Sequence, residues 1–151
     1  MDISLFQNER LRGFRCECSG HVAAGWRLES YWAEDEAVCT WYPRTIPALS
    51  SPEAIEDRTL ADLIVCHCLG TAVAAARLAD GPQGDPASRI RYAAASLRMT
   101  YLSPATANTP LTLRARVREL DDGTTTLTCS LFTDVEETAR GEVVAVRVPA
   151  P

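Results

Sequence analysis

The chain has no lysine: all fifteen of its basic residues are arginine, set against twenty acids for a net charge of −5. That balance excludes loading onto nucleic acid by neutralising phosphates, which needs a surplus of surface cations. No apolar run reads as long enough to cross a bilayer, so no membrane partner is expected. The N-terminus, Met1-Asp2-Ile3-Ser4, opens on an acid where a secretory leader carries a basic flank and an apolar core, and the expected location is cytoplasmic. The six cysteines (16, 18, 39, 66, 68 and 129) lack the density of a small secreted disulfide scaffold and read as small buried residues. With 46% hydrophobic and 23% charged residues over 151 positions, what is present is one globular domain over 1–151. A domain of that length buries roughly two-thirds of its unfolded surface.

The local patterns divide sharply. Residues 3–12 (ISLFQNERLR) have the spacing of a short helix, with Ile3, Phe6 and Leu11 on one side, so 1–13 read as an N-terminal helix or arm. Two aromatic and β-branched runs, 25–32 and 37–42, flank the acidic break Glu34-Asp35-Glu36 and predict a β-hairpin. Pro43, Pro47 and Pro52 keep residues 43–52 irregular. From Pro52 or Glu53 to Asp80 the pattern is helical, with Ser51-Pro52 as its start and Glu53, Glu56 and Asp57 as first-turn acids. Its body, LADLIVCHCLGTAVAAARL, is apolar almost all round and predicts a helix enclosed by protein. Beyond the Gly/Pro/Asp-rich loop, strands are expected over 90–102, 111–120, 124–133 and 142–148, with tight turns at Asp121-Asp122-Gly123 and in the charged segment before Glu142. One helix and about five strands leave sheet edges open, so pairing with a second copy about a two-fold axis is expected.

Three segments carry a family resemblance. Cys16-Glu17-Cys18-Ser19-Gly20 with Ala24-Gly25-Trp26-Arg27-Leu28 resembles the opening of the phenylacetate-pathway-like (PaaI-like) branch of the hotdog thioesterase superfamily. Ser96-Leu97-Arg98-Met99-Thr100-Tyr101-Leu102-Ser103-Pro104 resembles its central strand, and Asp121-Asp122-Gly123 its downstream turn. The resemblance covers about residues 14–148. It implies an α+β hotdog fold, a long central helix wrapped by a five- to six-stranded antiparallel sheet. It also implies an acyl thioester of coenzyme A or a carrier protein as substrate, a dimer or dimer of dimers, and no cofactor. That family places Pro-Gly-x-x-His-Gly-Gly before the helix and a catalytic acid two turns on. Aligned through Pro52 and Leu60, this chain has Glu56, Asp57 and Arg58 at the His-Gly-Gly positions and Val65 at the acid.

Thioester hydrolysis needs an activated nucleophile and donors for the oxyanion. Asp62 is either a relocated acid, one turn before the family's position, or the partner of Arg58 in an i,i+4 ion pair. His67 is either a base or donor in the acyl pocket or a core histidine bonded to a backbone carbonyl. Glu56 and Asp57 are acids favoured by the helix dipole that also stand at the mouth of the implied site. Cys66 reads as packing, because sequence neighbours on a helix diverge too far for a dyad with His67. Trp26, Trp32 and Trp41 either pack the hairpin or line an acyl site. Cys16, Cys18 and His21 lack a fourth zinc ligand, so no metal is expected. The expected function is therefore a thioester hydrolase in which Asp62, His67 and Glu56 do the chemistry, with Asp57, Arg58, Val65, Cys66, Tyr101 and Ser103 around the substrate. The alternatives are a dehydratase, cyclase or isomerase of natural-product biosynthesis, and a non-catalytic acyl-binding module.

Overall fold

A computed structural model describes residues 13–17, 27–43, 54–80, 90–106 and 108–149. In chain order these form β1 (Phe14–Glu17), β2 (Arg27–Ala33), β3 (Glu36–Trp41), α1 (Asp57–Asp80), β4 (Arg91–Tyr101), β5 (Leu111–Asp121), β6 (Thr124–Thr133) and β7 (Glu136–Val148). All strands lie in one antiparallel sheet ordered β1-β2-β3-β5-β6-β7-β4. This is the expected hotdog arrangement, with the four-residue β1 adding a seventh, short strand at one edge. The segment read as an N-terminal helix or arm, apart from Gly13, lies outside the described residues.

The period-2 alternation of the sequence is the reason the sheet has an inner face. Leu111, Leu113 and Ala115 on β5, Leu127, Cys129 and Leu131 on β6, and Ala139, Val143 and Ala145 on β7 are all buried against α1. From the helix, Leu60, Leu63, Ile64, Cys68, Ala72 and Ala75 meet them. Each fully buried leucine contributes roughly 2 kcal/mol of transfer free energy. The hairpins turn through two residues each, with left-handed φ at Glu34, Asp134 and Gly123, the sense that suits the right-handed strand twist.

Four expectations shift. The helix begins at Asp57 rather than at Pro52 or Glu53: Ala54 bridges Thr106 and the Ile55 N–H donates to the Ala105 carbonyl at 2.7 Å, so the chain is still extended there. The last strand begins at Glu136, because the charged segment turns in only two residues and then re-enters the ladder. The helix is not enclosed on every side: Asp62, Val65 and Leu69 form a half-open stripe that continues from exposed Arg58. Finally, residues 57–79 are apolar and long enough to span a membrane by composition, since Asp62 alone interrupts the run between Arg58 and Arg77. In the fold this stretch is the core helix, lying along the inner face of the sheet.

Helix and sheet approach closely at Gly141. A Cβ built there would lie 2.8 Å from Ile64 Cγ2 and 3.0 Å from Met99 Sδ. Gly141→Ala is expected to cost about 1–3 kcal/mol of unfolding free energy in urea titrations. In the Ile64→Ala background the same change should cost less, and strict additivity of the pair would show that the contact is not the cause.

Candidate active site

The first turn of α1 is built by contacts from the end of β4. The Tyr101 hydroxyl donates to the Asp57 carbonyl at 3.2 Å, and the Leu60 N–H donates to the Glu56 carbonyl at 3.2 Å, placing Glu56 at the cap of the helix. The backbone N–H groups that follow have no helical partner and point along the positive end of the helix dipole, an arrangement suited to a developing oxyanion. The Tyr101 pKa is raised, first by partial burial and then by the charge of Asp57. Ser103 sits beyond Tyr101, its backbone N–H on the Thr138 carbonyl at 3.2 Å and its hydroxyl on the Glu137 carbonyl at 3.4 Å.

Glu56, Asp57 and Arg58 are exposed at this mouth. Asp62 lies half-buried one turn further along the open stripe, with Val65 beyond it. The i,i+4 ion pair open to Arg58 and Asp62 does not form: the described ion pairs involve Arg116 with Asp35 and Glu36, and Arg140 with Glu137. Asp62 thus keeps its carboxylate available on the surface that leads from the helix start.

Cys66 and His67 turn the other way. Cys66 is buried in the core cluster, as the packing reading expects, and it is disulfide-bonded, so it carries no thiol to act as a nucleophile. Cys39, Cys68 and Cys129 are buried and in no disulfide, as small core residues are. His67 has no exposed surface. Its Nε2 lies 2.8 Å from the Ala37 carbonyl, which can only accept, so Nε2 carries the proton. Nδ1 is then the acceptor for the Ser30 hydroxyl at 3.3 Å. The order hydroxyl, imidazole, carbonyl is that of a nucleophile and its base, but Ser30 is itself buried, so no acyl group reaches it. The geometry is that of a core histidine bonded to a backbone carbonyl. Sequence reasoning gave no signal for Ser30 or for the Ala37 carbonyl, which lie 37 and 30 residues away.

The set weighed for zinc falls elsewhere: the side chains of Cys16, Cys18 and His21 lie outside the described residues. Among the described residues no group of three metal-binding side chains occurs.

Burial lowers the His67 pKa from 6.5 to about 4, partly opposed by the bond to Ala37. Between those two values the unfolded chain holds a proton at His67 that the folded chain refuses. Stability is therefore full above about 6.5, falls as pH drops through the window and levels off below about 4. The difference in unfolding free energy between the native chain and His67→Gln should shrink by about 3 kcal/mol from pH 7 to pH 4. A pH-independent difference would show that the ring is open to water.

No family model and no curated protein sequence matches the chain. Solved structures do. A thioesterase superfamily protein from Shewanella loihica PV-4 is 30% identical, covering 81% of this chain and 91% of its own length, with a TM-score of 0.61. The E. coli PaaI protein of the phenylacetic acid degradation operon is 20% identical over 82% of this chain and 80% of its own, with a TM-score of 0.55. Thioesterase superfamily member 2 from Mus musculus, 12% identical, covers 87% of this chain and 95% of its own, with a TM-score of 0.60. The last two show the shared fold, the first a closer kinship. A central helix on an antiparallel sheet thus has its counterpart in these proteins: the chain belongs to the thioesterase superfamily and shares the hotdog fold of its PaaI-like members.

Proposed function

We propose that the protein hydrolyses an acyl thioester carried by coenzyme A or a carrier protein, at the start of α1. The observation that carries this reading is the half-buried Asp62, left unpaired by Arg58, on the stripe that leads from the free N–H groups of the helix. In this mechanism Asp62 takes a proton from water as the water oxygen bonds to the carbonyl carbon. The helix N-terminus stabilises the resulting oxyanion, with Arg58 adding positive charge at the mouth. Collapse breaks the carbon–sulfur bond and the thiolate leaves, to be protonated from Asp62 or water. Because Glu56 and Asp57 are exposed, their carboxylates have room to point away from the oxyanion, and Glu56 is the second candidate base. Tyr101 fixes the mouth through Asp57, and Ser103 and Val65 border the acyl path. His67 acts from the core, holding α1 against β2 and β3, and does not touch the substrate.

The protein works as a two-fold dimer in this reading. β4 is an eleven-residue edge strand, and along it only Tyr92 and Met99 are even half-buried. Such an edge is a template for pairing, and a second copy supplies the most economical cover. Sedimentation at micromolar concentration should give a dimer, and a monomer there would overturn this part of the proposal.

Thiol release from a series of acyl-CoA and acyl-carrier thioesters tests the chemistry. Asp62→Asn should lower kcat/KM by about a hundredfold or more, and Glu56→Gln by less. Full activity in both variants would exclude the mechanism. The replacement of His-Gly-Gly and of the usual acid by Glu56, Asp57, Arg58 and Val65 keeps a second outcome in view. A substrate conserved in mass or lighter by one water, with its thioester intact, would make this a dehydratase, cyclase or isomerase. Binding without turnover would make it an acyl-binding module.

A further inference from the structure

A cavity of about 470 Å³ opens at the far end of α1, away from the site just described. Its walls are Phe14 of β1, Trp32 of β2, and Val73, Ala74, Arg77 and Leu78 of the helix. At about 1.5 Å per residue, Arg77 stands about 30 Å along the axis from Asp57. At about 100° per residue, the face formed by Gly70, Ala74 and Arg77 is rotated by roughly a third of a turn from the stripe of Arg58, Asp62, Val65 and Leu69. A thioester held at the first turn therefore does not enter this cavity by following that stripe.

The lining is specific in its chemistry. The rings of Phe14 and Trp32 lie with centroids 5.5 Å apart and planes inclined by 39°, forming one aromatic wall. Val73, Ala74 and Leu78 make the opposite wall aliphatic, and Gly70 contributes no side chain to fill the space. Two features keep the cavity open. Gly13 turns the chain at a left-handed φ of 62° directly before Phe14, a conformation that favours glycine. Trp32 is itself buried, so its ring is fixed by packing rather than free to swing into the space. Among the described residues of the lining, the one charged side chain is Arg77, exposed and in none of the described ion pairs.

We propose that this cavity is a second binding site, for a small carboxylate with a flat aromatic body. The volume suits a ligand of roughly ten to twenty heavy atoms. The aromatic wall takes the ring by offset or edge contact, and the guanidinium at the mouth pairs with the carboxylate in a fork-to-fork geometry that a neutral amide does not reproduce. Nothing about hydrolysis at the helix start is required for this site to exist, so it stands or falls separately from the proposed thioesterase activity.

Calorimetric titration of the full chain with naphthalene-1-acetate and with its uncharged amide provides the test. The carboxylate should bind about fivefold more tightly than the amide. Arg77→Ala, a change at an exposed position, should remove that preference and leave amide binding in place. Val73→Trp should abolish binding of both by filling the cavity, with thermal unfolding used to verify that the variant is folded. If Val73→Trp is not folded, Ala74→Leu takes its place as the filling variant with the same expected loss. Equal affinity for acid and amide, no heat from either at millimolar concentration, or unchanged binding in a folded filling variant would each overturn the proposal. A change in sedimentation on filling the cavity, without any ligand heat in the native chain, would assign the face to contact between copies and overturn it as well.

Discussion

Covering one long apolar helix is the constraint behind the whole fold. α1 runs for 24 residues with only a few charges, and an isolated surface helix of that composition would leave most of its circumference in contact with water. The sheet solves the problem by presenting its inner face, alternate residues of β5, β6 and β7, along the helix. Small residues set how near the two can come. Gly141 leaves room for Ile64, and the alanines from 72 to 76 let the second half of the helix lie close to the strands. A buried polar link, His67 between Ser30 and the Ala37 carbonyl, adds direction to packing that is otherwise non-directional, since only one rotation of α1 satisfies both ring nitrogens.

The same solution leaves two surfaces unfinished, and both bear on function. The seven described strands cover the helix only in part, so the stripe from Arg58 through Asp62 to Leu69 stays half-open, and β4 has no second neighbour among the described residues. The helix start therefore combines backbone N–H groups, a carboxylate with no ionic partner among the described residues and a tyrosine donated by the next strand. Backbone donors at a helix start belong to the helix terminus and not to any particular residue, so they persist when the side chains around them change.

Much of the architecture was legible along the chain. Alternation marked β5 and β6, the Glu34-Asp35 and Asp122-Gly123 turns marked their hairpins, and the apolar run marked α1. The boundaries were less so. Ser51, Pro52 and the acids that follow have the composition of a helix start, yet the chain at Ala54 and Ile55 is spent on pairing with Ala105 and Thr106, a partner that local spacing cannot reveal. The start of β7 was hidden for a similar reason: Glu136 to Arg140 is polar in sequence but hydrogen-bonds in register with β6 and β4.

Residue order was enough to settle the fold class and the identity of the central helix, because periodicity and turn residues are local properties. The family resemblance, aligned from Pro52 to Val65, also singled out the residues of the helix start. How those residues are placed and partnered was decided by three-dimensional contacts alone. Which carboxylate lacks a cation, which histidine nitrogen holds the proton, which helix cysteine is tied in a disulfide and where an aromatic wall meets Arg77 all depend on how the folded segments meet. Such contacts carry no signature in residue order, since burial and hydrogen-bond partnership are set by spatial neighbours rather than by position along the chain.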